Sequence, residues 1–185
     1  EHVLDVASGG STEEVCHLNV YLGELFAEAA AGIARAAGVP LAAVDLIGSH
    51  GQTIHHLPSS RPEGPHNVRS TLQVGEPAVI AERTGVTTVA DFRPRDMAAG
   101  GEGAPLTPLV HHFLFAHPSR GRVVLNLGGI ANATVLPAGE DAGAVTGFDT
   151  GPANVLLDEF VRRTRLAECG YDAGGRLAAA GRPVP

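Results

Sequence analysis

Tryptophan is absent from the 185 residues, methionine occurs once, cysteine twice, and aromatic side chains make up only 4% of the chain. A core must therefore be built from Ala, Val, Leu and Ile, within a hydrophobic fraction of 44%. Cys16 and Cys169 lie far apart, and neither has a CxxC neighbour. That argues against a cysteine-based metal site, and two free thiols in a reducing compartment is the expectation. Basic residues are also scarce, at 13 against 20 acidic ones, for a net charge of −7. With no basic run to neutralise phosphates, a nucleic-acid partner is not expected. The apolar stretches are too short and too interrupted to span a bilayer, and no basic-then-apolar leader opens the chain. The expectation is a soluble, cytoplasmic protein without a membrane partner. Because the chain starts at Glu1 rather than Met and stops at Arg182-Pro-Val-Pro185, both ends are read as cuts.

What is abundant is glycine, at 24 residues, with 13 prolines. They fall singly between apolar runs, the pattern of a folded chain with many tight turns. Residues 1–12 read as a linker. Ser11 and Glu14 match a capping box. Behind them Val15, Leu18, Leu22, Leu25, Ala29, Ile33 and Ala36 recur at helical spacing, until Gly38 and Pro40 stop the helix. A short buried strand is expected at 44–47, an exposed loop at 57–70, and a strand at 71–74. A short helix then passes through Val79, Ile80 and Arg83, and another strand covers 86–90. The stretch 91–96 reads as a charged loop, and 108–115 as a helix. Two strands, 123–127 and 130–136, flank Gly128-Gly129. A third strand ends at 147–151, and Pro152 opens a helix whose buried side carries Val155, Leu156, Phe160 and Val161. The loop 116–122 is the expected domain boundary, giving units 1–119 and 120–185.

Three glycine-rich turns follow expected strands: Gly48–Thr53, Gly128–Asn132 and Gly147–Asn154. Glycine lets backbone N–H groups approach a ligand, and such turns form anion sites. Asp149 sits at a strand end ahead of a helix start. A carboxylate there can act as a general base or cap the helix, and spacing alone leaves both open. Asp91 and Asp96 bracket Arg93 and Arg95. The cluster is either an ion-paired loop or an arginine fork for a substrate carboxylate or phosphate. His50, in the first turn, is placed to hydrogen-bond a sugar. The pairs His55-His56 and His111-His112 point in different directions, and no HExxH-type spacing exists, so no metal site is expected.

The strings GSHGQTIHH (48–56), TLQVGEPAVIAERTG (71–85), VADFRPRDMAAGGEGAPLTPLVHH (89–112), VVLNLGGIANATVLP (123–137) and GFDTGPANVLLDEF (147–160) occur in the order found in the anhydro-N-acetylmuramic acid kinases, which the chain resembles. The resemblance implies an α/β, two-lobed, actin-like (ribonuclease H-like) ATPase fold, represented here only in part. Residues 1–119 would be the latter part of the first lobe and 120–185 the beginning of the second. It implies ATP and Mg²⁺, hydrolytic opening of a 1,6-anhydro ring with phosphorylation of O6, a place in murein recycling, and a homodimer. It makes Asp149 the base. Arg95 falls on the sugar side, His50, Gln52 and Arg93 contact the sugar or buttress the cleft, and Gly128, Gly129, Asn132 and Gly151 fall on the phosphate and nucleotide side. Glu102 stands where the family usually has Gln, and Ala153 where it usually has Gly. The family's N-terminal phosphate loop and later adenosine segment have no counterpart here, so activity is expected of the complete protein. Two alternatives remain: a non-catalytic anhydro-sugar or muropeptide sensor, and another sugar kinase of the superfamily.

Overall fold

The computed structural model describes residues 2–139 and 141–182 and is mixed α/β. It divides into two compact units, one running to Ala104 and the other starting at Pro105.

In the first unit, residues His2–Gly9 form a helix, α1, not the linker expected from Ser8-Gly-Gly-Ser11. Val6 explains the difference: it is buried and joins Leu18, Leu22 and Val74 in one core cluster. The apolar contact holds a short helix that its polar flanks would not have formed alone. Helix α2 spans Thr12–Ala36 and opens with the expected capping box. The Glu14 N–H donates to Ser11 Oγ at 3.2 Å, and the Ser11 N–H donates to Glu14 Oε2 at 2.7 Å. Its buried stripe is Leu18, Leu22, Gly23, Ala27 and Ala34, whereas Leu25 and Ile33 of the expected face are exposed. The stripe runs through small residues because α3 (Pro77–Thr84) packs closely against it. A Cβ on Gly23 would lie 2.9 Å from the Glu76 carbonyl oxygen.

Strands β1 (Ile47–Gly48) and β4 (Thr88–Val89) are a short parallel pair, each briefer than the expected run. Between them lies the largest departure from expectation. Residues 57–70 are not a loop but most of an antiparallel ribbon, β2 (Gln52–Glu63) with β3 (His66–Val74). Pro58 and Pro62 misled the reading, because proline is a strand breaker only where its missing N–H is needed. A two-stranded ribbon has only edges. The ribbon is irregular between Leu57 and Arg61, and Gly64 turns it with φ +56°. The acid/base run is likewise a helix, α4 (Phe92–Ala98), rather than a loop.

In the second unit, α5 (Thr107–Phe115) precedes an antiparallel sheet in the order β5 (Arg122–Leu127), β6 (Ile130–Leu136), β7 (Thr146–Pro152). The expected hairpin around Gly128-Gly129 is present. The central strand supplies the buried residues Ala131, Ala133, Thr134 and Leu136. His111 Nδ1 lies 2.8 Å from Thr134 Oγ1, which ties α5 to the sheet. The compact units divide ahead of α5. Pro152 ends β7 instead of opening the next helix, which is α6 (Asn154–Thr164). Of its four expected buried residues only Val161 is buried. Periodicity identifies an apolar face, not what covers it. A short helix, α7 (Arg176–Ala180), follows.

Candidate active site

Strand β7 carries Asp149 in register with Asn132 of β6, and Asn132 is in turn opposite Asn126 of β5. Residues opposite one another in a sheet share a face, so one polar row crosses all three strands. The β6–β7 register slips between Ala131 and Asn132, because Thr150 is an extra residue on β7. Its hydroxyl donates to the Ala131 carbonyl at 3.2 Å. Bulges of this kind re-aim neighbouring side chains and recur beside active sites. Asp149 itself is exposed, and its carboxylate has no hydrogen-bond partner among the described residues. Nor does it cap α6: the N-cap position is Ala153, with no side-chain bond. The capping alternative therefore falls, and an unpaired carboxylate on a strand remains.

Beside it, the Gly128-Gly129 turn is clasped by the start of α6. The Asn154 N–H donates to the Gly128 carbonyl at 3.0 Å, and the Ala153 N–H to the Gly129 carbonyl at 2.9 Å. Asn154 Nδ2 adds a bond to the Leu127 carbonyl at 3.1 Å. The helix start thus spends its own donors on the turn. The N–H groups of Gly128 and Gly129 enter no turn bond among the described residues, and open donors at a turn are able to bind an anion. Gly151, with φ +139°, holds a conformation that suits glycine. Ala153 leaves the clasp intact.

The first unit holds His50, Gln52, Arg93 and Arg95, and the structure gives them different tasks. Arg93 is half-buried and committed. Its Nε donates to the Gly103 carbonyl at 2.9 Å and its Nη1 to Thr53 Oγ1 at 2.9 Å. Asp96 holds the same glycine loop from the other side, accepting the Gly103 N–H at 2.8 Å. Two of the four charged groups in this run are therefore braces. Arg95, two residues on and so on another side of α4, is exposed and makes no bond or ion pair among the described residues. His50 is exposed, with Nδ1 2.8 Å from the Gly51 carbonyl. Gln52, also exposed, bonds only to the adjoining Thr53 carbonyl, at 3.3 Å. Glu102 is exposed. Near this network, burial and then the Arg93 charge hold the His56 imidazole below its ordinary range, with Glu102 opposing them.

The sequence pattern of the anhydro-N-acetylmuramic acid kinases matches residues 1–184. An anhydro-N-acetylmuramic acid kinase of Caldanaerobacter subterraneus subsp. tengcongensis is 51% identical over 173 residues, 94% of this chain and 44% of the relative. One of Bacillus cereus (strain ATCC 10987 / NRS 248) is 45% identical over 184 residues, 100% of this chain and 46% of the relative. The chain belongs to the anhydro-N-acetylmuramic acid kinase family. It spans less than half the length of these relatives.

Within this family member the expected residues fall into two groups, each gathered inside one unit. Asp149, Asn132, Gly128, Gly129 and Gly151 cluster on the β5–β6–β7 sheet. His50, Gln52, Arg93 and Arg95 belong to the first unit, where Arg93 is a brace. Asn126 was missed. The signal was available in Val124-Leu-Asn126-Leu, a polar residue interrupting an apolar strand two positions before the glycine turn. No group of three or more His, Cys, Asp or Glu could hold a metal ion among the described residues. Neither is any helix among them long and apolar enough to cross a membrane.

Proposed function

We propose that the complete protein phosphorylates 1,6-anhydro-N-acetylmuramic acid at the expense of ATP, giving N-acetylmuramic acid 6-phosphate in murein recycling. The unpaired Asp149 carboxylate, in register with Asn132 and beside a turn with open N–H groups, is the observation that carries this reading. Water attacks the anomeric carbon and its proton passes to Asp149. The C1–O6 bond breaks, and O6 takes the γ-phosphoryl group as ADP leaves. A carboxylate base is what water attack on an anomeric centre needs, while phosphoryl transfer asks chiefly for positioning and charge stabilisation. The Gly128 and Gly129 amides suit the phosphates, with Asn132 and Gly151 beside them. Arg95 suits the lactyl carboxylate, and His50 and Gln52 the hydroxyls.

Mg²⁺ would accompany the nucleotide. It is usually held by one or two carboxylates together with phosphate oxygens. The α/β units would belong to the two lobes of an actin-like ATPase fold, in a cytoplasmic homodimer. The test uses the full-length protein with ATP and either the anhydro sugar or ordinary N-acetylmuramic acid. Phosphorylated product from the anhydro sugar, with little from the ordinary one, is expected. The reverse preference would sink the reading, since only the former needs its ring opened.

A further inference from the structure

Strands β1 and β4 end side by side, with Gly48 opposite Val89. The residues that leave them, Ser49–Gly51 and Ala90–Asp91, line one cavity of about 160 Å³. Asn19 of α2 and the segment Gln73–Pro77 supply its other walls. In α/β proteins the carboxyl ends of parallel strands are where ligands are held. We infer that this cavity is a subsite for the hydrogen-donating groups of the amino sugar, its hydroxyls or its amide N–H, and that Asp91 is a substrate-binding residue within it. This rests on the functional reading above and extends it to Asp91, a residue which that reading leaves unused.

Three observations carry the inference. First, Asp91 adopts a left-handed backbone conformation, φ +60° and ψ +33°, and stands at the start of α4 without capping it. A non-glycine residue pays for such a conformation, and here its carboxylate has no partner among the described residues. Strain of this sort collects at ligand sites. Second, the lining is rich in acceptors. His50 Nδ1 faces a carbonyl, which only accepts, so that nitrogen carries the proton and Nε2 is the acceptor of the neutral ring. Gln73 of the same lining has its amide donors engaged, Nε2 bonding to Thr53 and Thr71. Third, the charge has one sign. Glu76 shares the lining with Asp91, but its oxygens are already engaged by Asn19 Nδ2 at 2.9 Å and the Ala78 N–H at 3.1 Å. Asp91 is left as the open anionic acceptor. A carboxylate or phosphate would be repelled here, so the lactyl end of the sugar is directed elsewhere, which agrees with the free guanidinium of Arg95.

Calorimetric binding of 1,6-anhydro-N-acetylmuramic acid to the full-length protein tests this with Asp91→Asn and Asp91→Gly. Both substitutions are compatible with the left-handed backbone. Each should weaken sugar binding by about tenfold or more, as for loss of a hydrogen bond to a charged group, with ATP affinity and Tm held or raised. Sugar affinity within about twofold of wild type in both variants overturns the inference, as does a parallel loss of ATP binding or Tm, which would mark a shaping role. If the wild-type protein neither binds nor phosphorylates the anhydro sugar, the functional reading fails with it. Wild-type turnover beside unaffected variants removes the Asp91 subsite alone.

Discussion

The two units treat their charged groups in opposite ways. On the β5–β6–β7 sheet, the support for Asp149 is almost entirely backbone: a bulge at Thr150, a glycine turn, and a helix start that donates to that turn. The carboxylate is left free among the described residues. In the first unit the charged run 91–96 is half consumed by architecture, since Arg93 and Asp96 fasten the glycine loop through Gly103. Arg95 and Asp91 in the same run are left over. Residue type therefore says little about role in either unit. What separates a reacting or binding group from a brace is whether the fold has already satisfied it.

The sharpest way to break this contrast is Asp149→Asn in the full-length protein. Turnover should fall by about 10²–10⁴, the range for loss of a general base, while ATP binding measured directly is preserved. Near wild-type turnover would return Asp149 to the status of an ordinary surface residue. The next largest effect should separate neighbouring arginines. Arg93→Ala removes the donor to the Gly103 carbonyl and one of two donors to Thr53 Oγ1, and should lower stability by about 2 kcal/mol, read as a fall in Tm. Arg95→Ala should leave Tm in place and raise the KM for the anhydro sugar roughly tenfold, with kcat and the KM for ATP little changed. Equal Tm losses in the two variants would mean that brace and binder have been misassigned.

How much of this was legible beforehand depended on whether a signal was local. The capping box at Ser11–Glu14, the extent of α2 and the Gly128-Gly129 hairpin are local patterns, and they appear where the sequence placed them. The β2–β3 ribbon was illegible because Pro58, Pro62 and Gly64 look like a loop until one knows that the strands have open edges. Helix α1 was illegible because it depends on Val6 meeting Leu18, Leu22 and Val74, a tertiary fact. At the candidate site, motif strings singled out Asp149 and the glycine turns. They could not distinguish Arg93 from Arg95, since that difference lies in where Gly103 and Thr53 come to rest. Nor could they show that Asp149 leaves α6 uncapped, which required the helix to begin later than Pro152.

Two smaller perturbations probe the same principle through stability. Ser11→Ala removes the hydroxyl that accepts the Glu14 N–H, and should cost about 1 kcal/mol, visible in Tm with KM values untouched. A silent Ser11→Ala would mean that α2 is held by the burial of its own Leu18 and Leu22 against Val6 and Val74.

The smallest effect concerns His56, which lies close to the Arg93 brace and bonds through Nδ1 to Thr71 Oγ1 at 3.2 Å. Burial first, and the Arg93 charge second, lower its pKa in the folded protein. The unfolded chain then binds a proton more readily, beginning near the ordinary imidazole value of about 6.5. Stability from this group is thus fully present above that value and declines as pH falls through the lowered folded-state value. Thermal melts of the wild type between about pH 5 and 8 should therefore lose more stability toward the acid end than those of His56→Gln, which keeps a hydrogen-bonding side chain and cannot titrate. Parallel pH profiles would mean that Glu102, which favours the protonated ring, cancels the burial and the Arg93 charge. In that case the neighbourhood of Arg93 would be electrostatically balanced as well as hydrogen-bonded, and the contrast between a satisfied brace and an unsatisfied Asp149 would be all the wider.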